Sequence, residues 1–161
     1  MNGHVCSLEP FYAEAATVVS AWATSGRELD EWASLRGTPA PADFAAWHAD
    51  PGVRAFLLVE TSIPIGYGEC WIDSAEREVE LARLIVDPAR RGRGIGALLV
   101  ERLISGAREF AVDLAWVRVV PGNGPALACY ARAGFVPASS GEQHELNAPQ
   151  PRDYIWMRRR I

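Results

Sequence analysis

The sequence predicts an α/β fold in which one mixed, mostly antiparallel sheet of about seven strands is flanked by helices. Three observations lead there. The apolar runs between residues 54 and 86 are joined by short polar connectors, which suits antiparallel neighbours. Beyond residue 86, strand-like runs alternate with segments of helical spacing, so the sheet gains strands across helices. Finally, 161 residues without a repeat, a low-complexity tract or a linker suit a single domain over 1–161.

Taken in order, residues 4–8 read as a short first strand. Residues 11–35 read as helix broken near Ser25-Gly26, because Phe11, Ala15, Val18, Val19 and Trp22 recur at three- and four-residue spacing. Residues 37–41 form a loop, and Pro41-Ala42-Asp43 opens a short helix that carries Phe44 and Trp47 and stops at Asp50-Pro51-Gly52. Strands follow over 54–60, 65–72 and 78–86, and Asp87-Pro88 ends the third. A helix over about 94–110 has an apolar stripe of Ile95, Leu98, Leu99, Leu103 and Ala107. Residues 114–120 form a strand stopped by Pro121-Gly122. Asn123 caps a helix that reaches about Ala133 and exits through Gly134. Val136 starts another strand, 141–151 read as loop, and 154–159 as the last strand.

Composition narrows the function. Sixteen basic and 20 acidic residues give a net charge of −4, which argues against a nucleic-acid partner, since that would need a basic face. No apolar stretch approaches ~18 residues, so no membrane partner is expected. Residues 1–10 carry no basic-then-apolar secretion signal. Cys6, Cys70 and Cys129 lack a Cys-x-x-Cys pair and read as free thiols of a reducing, cytoplasmic compartment. His4, His48 and His144 are scattered without ligand spacing, so no metal is expected.

The informative segment is Arg91-Gly92-Arg93-Gly94-Ile95-Gly96, set between a strand and a helix. A helix start carries unpaired N–H groups and partial positive charge, and so binds phosphate. Glycines let the backbone approach a bulky anion, and Arg91 and Arg93 add charge-assisted hydrogen bonds. A plain glycine-rich turn with solvated arginines would leave three glycines within five residues unexplained. Gly92-x-Gly94-x-x-Ala97 also fits a dinucleotide fingerprint, but five residues separate Val86 from Gly92 and no repeated βαβ unit follows. A P-loop fails for want of Gly-Lys-Ser/Thr.

Arg91-x-x-Gly94-x-Gly96, following Val86-Asp87-Pro88, resembles motif A of the GNAT N-acetyltransferases, Gln/Arg-x-x-Gly-x-Gly/Ala. Residues 119–136, with Asn123 opening a helix and Tyr130-x-x-x-Gly134-Phe135 closing it, resemble that family's motif B. The two motifs cover a little over a third of the chain, and the first 60 residues are similar only in outline.

The resemblance implies the GNAT fold, with acetyl-coenzyme A (acetyl-CoA) bound in a V-shaped split between strands 80–86 and 114–120. Leu84, Ile85 and Val86 would pair with the pantetheine arm, residues 91–97 would hold the pyrophosphate, and Asn123 would lie beside the cofactor. Arg83 breaks the alternation of Val79, Leu81 and Ile85, which points to a bulge near the split. The resemblance nominates Tyr130 as proton donor to the leaving thiolate and as a cofactor contact; packing is the other reading. Glu80 falls where histone-type members carry their general base, and Glu69 on the neighbouring strand is the second candidate. Ribosomal-protein acetyltransferases carry a glutamate where this chain has Arg118, a departure from that branch. The N-terminal helices wall the acceptor pocket in this fold, so Trp32 and Trp47 are expected to line it, with Glu69 beside them. The expected activity is acetyl transfer from acetyl-CoA to a small-molecule amine or a peptide amino group. The alternative is a non-enzymatic acyl-CoA sensor of the same fold. The oligomeric state stays open between monomer and homodimer.

Overall fold

Seven strands hydrogen-bond into one sheet in a computed structural model that describes residues 5–161. In chain order they are β1 (Cys6–Pro10), β2 (Val53–Glu60), β3 (Ile63–Asp73), β4 (Glu78–Val86), β5 (Leu114–Val119), β6 (Val136–Pro137) and β7 (Ile155–Arg160). Their order across the sheet is β1-β2-β3-β4-β5-β7-β6, and every neighbouring pair is antiparallel except β4 with β5. That mixed, helix-flanked sheet is the one the sequence predicts. The first strand lies two residues later than expected, and His4 falls outside the described residues.

Alternation along the strands sends side chains to two faces. On one face Leu58, Ile65, Val79, Leu81 and Val117 pack under α4 (Ile95–Ala107) and form the larger core. On the other, Leu57, Tyr67 and Ile85 pack under α1 (Ala16–Ser20), α2 (Gly26–Ala33) and α3 (Pro41–Trp47). The helix expected over 11–35 is therefore shorter pieces. Ser25 restarts it as the cap of α2, its side chain accepting from the Glu28 N–H at 3.1 Å.

The segment expected as loop, 141–151, is corrected by the structure. Most of it is helical, as α6 (Ser140–Asn147), opened by a capping box between Ser139 and Glu142. This helix docks by amides more than by an apolar stripe. Gln143 takes the Trp156 N–H at 3.0 Å and gives to the Trp156 carbonyl at 2.8 Å. One turn on, Asn147 does the same for Tyr154, at 2.9 Å both ways. α6 thus borders β7 as a strand would, and closes one end of a cleft on the α1–α3 face.

Candidate active site

Pairing between β4 and β5 covers only Glu78 with Leu114, Val79 with Ala115 and Glu80 with Trp116. Past Glu80 the two strands part. The cause lies in β4. Tyr67 sits opposite Ile85 and Glu69 opposite Ala82, so two steps along β3 span three along β4. The extra residue is a β-bulge, which bends its strand and sharpens the local twist. Within it Arg83 has φ +49°, a left-handed conformation that costs a residue with a side chain about 1–3 kcal/mol. Gly68, opposite the bulge, lies close under α4: a Cβ there would lie 2.8 Å from Leu103 Cδ1, so that leucine would have to shift.

At the open end of β4, Asp87 caps a short turn, accepting from the Ala89 N–H at 3.0 Å. The chain then passes Arg91, Gly92 and Arg93 to Gly94, the N-cap of α4. Gly94 has φ +79°, and a Cβ built on it would meet nothing within 4 Å, so the helix start opens onto free space. Ile95, Gly96 and Ala97 form the first helical turn behind it. All three guanidinium nitrogens of Arg91 are engaged: Nε with the Val86 carbonyl at 3.1 Å, one terminal nitrogen with Glu28 at 2.8 Å, the other with the Trp22 carbonyl at 2.7 Å. Arg91 therefore fixes the loop against α2, while Arg93 stays exposed. Opposite, Asn123 caps α5 (Gly124–Arg132), accepting from the Ala126 N–H at 3.2 Å. On the expectation from the sequence that this loop holds the acetyl-CoA pyrophosphate, Gly94→Val should strain the turn and obstruct its open side, weakening acetyl-CoA binding by about tenfold, or ~1.4 kcal/mol. Calorimetry on the folded variant is the check, and unchanged affinity would move the pyrophosphate site elsewhere.

On the α1–α3 face the parted strands border a cleft of about 590 Å³. Trp47, Trp71, Trp116 and Trp156 line it. Asp50, Asp73, Glu78 and Glu80 are its carboxylates and Arg83 its one basic lining residue. Two guanidinium groups, Arg83 of the lining and Arg118 outside it, lie against its indoles. The Arg83 guanidinium lies 4.3 Å from the Trp47 ring centroid and 5.0 Å from that of Trp71. The Arg118 guanidinium lies 5.1 Å from Trp71 and 5.5 Å from Trp156. Such contacts contribute roughly 0.5–2 kcal/mol each, more where water is excluded. Trp32 is not part of this lining. It is buried beneath α2, and its indole N–H donates to the Arg83 carbonyl at 2.8 Å.

The two candidate bases differ in setting. Glu69 is fully buried and accepts from the Tyr67 hydroxyl, from Trp71 Nε1 at 2.6 Å and from Arg83 at 2.8 Å. His48 Nε2 stands 3.0 Å from the same Tyr67 hydroxyl, and burial holds the His48 pKa below its ordinary value. The Glu69 carboxylate is thus enclosed by protein. Glu80 instead lines the cleft. Arg118 Nε lies 2.7 Å from its Oε1 as an ion pair, but at an angle that leaves this buried oxygen without a well-formed hydrogen bond. Burial pushes the Glu80 carboxyl up to about 7, against the opposing pull of Arg118. Tyr130 sits on α5 against the larger core, with its ring 5.9 Å from Phe135. Burial pushes its phenol well above the ordinary value, helped by the charges of Cys129 and Glu80. Glu80 thus faces the cleft while Tyr130 packs against the larger core, near enough for the Glu80 charge to act on its phenol.

The sequence reading missed the part played by Trp71, Trp116, Trp156 and the guanidinium of Arg83. The signal was present. Glu69-x-Trp71, Trp116-x-Arg118 and Trp156-x-Arg158 alternate at the strand period, which puts each pair on one face.

Comparison with known proteins agrees with this geometry. The profile of the acetyltransferase (GNAT) family matches residues 21–135. An uncharacterised N-acetyltransferase of Mycobacterium tuberculosis is 27% identical over 117 residues, 73% of this chain and 74% of that protein. An acetyltransferase of Thermus thermophilus superposes with a TM-score of 0.76 at 22% identity, covering 100% of both chains. A spermidine N-acetyltransferase of Vibrio cholerae, solved with CoA and spermine, gives 0.73 at 17% identity, covering 97% of this chain and 94% of that one. At such identities the two structures speak for the fold, and the family match, which takes in both the split strands and the glycine loop, settles the kinship: the chain belongs to the GNAT acetyltransferase family.

Proposed function

We propose that this acetyltransferase moves the acetyl group of acetyl-CoA to a cationic primary amine by direct attack within a ternary complex. The observation that carries the reading is the split: residues 81–86 of β4 have no partner on the β5 side, so their backbone is available to an extended ligand. Acetyl-CoA supplies the thioester whose carbonyl carbon the amine attacks. Leu84, Ile85 and Val86 pair with its pantetheine arm, and a backbone N–H among them stabilises the oxygen that becomes negative. The N-terminal turn of α4 and Arg93 hold the pyrophosphate, in a loop that Arg91 keeps in shape. Glu80, facing the cleft, takes the proton of the incoming amine as the N–C bond forms. Tyr130, reached through the split, gives its proton to the sulfur as the C–S bond breaks.

Charge selects the acceptor. Between residues 69 and 80 the sequence has five acids and one base; of these acids Asp73, Glu78 and Glu80 line the cleft together with Asp50, whereas Glu76 is absent from the lining and Glu69 is sealed behind Arg83. Among the described residues Asp50, Asp73 and Glu78 have no ion-pair partner, so their field stays open to a cation. The V. cholerae neighbour, solved with spermine, offers an acceptor of this kind. Thiol release should be compared for spermidine, a basic peptide and glutamate across a salt series. The two cationic acceptors should lead, with kcat/KM falling as salt rises because screening weakens the attraction. A clear preference for glutamate would overturn the charge argument, and no thiol release with any amine would overturn acetyl transfer.

A further inference from the structure

We infer, resting on the acetyl-transfer reading, that Glu69 and Trp32 are positioning residues that clamp Arg83 from its two ends and so hold the β4 bulge in its working shape. An arginine at φ +49° has nothing in its own chemistry to keep it there; glycine or asparagine would take that conformation more readily. Two external bonds do the holding. The Trp32 indole N–H donates to the Arg83 carbonyl at 2.8 Å, so this carbonyl is satisfied by a helix side chain instead of a strand. Glu69 takes the guanidinium at 2.8 Å, and Trp47 and Trp71 lie against it at 4.3 and 5.0 Å.

The clamp is itself rigid. Glu69 is 0% exposed, with one oxygen bonded by Tyr67 and the other by Trp71 and Arg83. Trp32 is buried against Phe44, Trp47 and Tyr67. Glu69 touches no surface that a substrate can reach, so it acts through Arg83 and takes no proton from the amine. The residues that directly follow the clamped one are Leu84 and Ile85, whose N–H groups must meet the thioester. Arg83 also lines the acceptor cleft, so one residue sets the geometry of both substrates.

The test uses Trp32→Phe, which keeps a buried ring and removes a single donor, and Glu69→Gln, which removes the charge. In Trp32→Phe the backbone amides that hold the β3–β4 pairs flanking the bulge, Tyr67 with Ile85 and Glu69 with Ala82, should exchange with solvent about tenfold faster in the ligand-free protein, while those of Val79 and Leu81 keep their rates. Its kcat should fall by roughly tenfold or more with the KM for the amine within about twofold. In Glu69→Gln kcat should fall as well, with the low-pH limb of the kcat/KM profile kept in place. Unchanged exchange or unchanged kcat in folded Trp32→Phe overturns the clamp, whatever its melting temperature. Loss of the low-pH limb in Glu69→Gln overturns it too, because Glu69 would then be the base. If Glu69→Gln does not fold, Trp32→Phe decides alone. Wild-type protein that releases no thiol with any amine instead overturns the acetyl-transfer reading beneath it.

Discussion

Tyr130→Phe is expected to lower kcat by roughly 10²-fold or somewhat more while leaving acetyl-CoA affinity nearly intact. The ring packs against Phe135 and the α4 core, and phenylalanine keeps that packing. What is lost is one O–H. Burial holds that phenol protonated far above neutral pH, so in the wild type the donor is present at every pH where the protein works. A leaving thiol of ordinary acidity has a pKa of about 8.5 and, without a donor, must depart as an anion. The loss belongs to bond breaking, so it should appear in kcat and in kcat/KM alike. Single-turnover thiol release, with cofactor affinity measured in parallel by calorimetry, separates the two. Wild-type turnover in the variant would return Tyr130 to a packing role.

Local signals made the scaffold legible. β2, β3 and β4 are apolar runs with turn residues between them, and α4 carries its stripe at helical spacing. The glycine loop could be read because φ near +80° at a helix start leaves few residue choices. The helix α6 escaped because it has no buried residue to make a stripe. Its readable signal was the Ser139-x-x-Glu142 capping box, and its docking amides, Gln143 and Asn147, look like loop residues in sequence. The site was legible only in part. Arg83 could be marked as a break in alternation, but its partners Trp32, Glu69 and Trp47 come from three other elements, and no single-strand pattern predicts such a meeting. For the same reason Glu69 could be ranked behind Glu80 as a base but not set aside. Only the fold shows that one is sealed behind an arginine and the other faces the cleft.

Glu80→Gln should lower kcat/KM by about 10²-fold at pH 8 and flatten its low-pH limb. Glutamine keeps the volume and loses the basic oxygen. A base works only when ionised. With the Glu80 carboxyl pushed up to about 7 by burial, wild-type kcat/KM should rise with pH through that value and level off above it. Two units below the midpoint only about 1% of the carboxylate is ionised, so near pH 5 the wild type and the variant should nearly meet. That convergence distinguishes a lost base from general damage, which would lower the rate at every pH. Arg118 supplies an internal control. Its guanidinium, 2.7 Å from Glu80 Oε1, opposes the effect of burial and favours the ionised form. Arg118→Gln should therefore move the wild-type limb to higher pH, by about a unit or more, without removing it. A base elsewhere would not feel that substitution so strongly. The decisive data are kcat/KM profiles from pH 5 to 9 for wild type, Glu80→Gln and Arg118→Gln. An unaltered limb in Glu80→Gln would assign the proton to water in the cleft, since the enclosed Glu69 has no path to the amine.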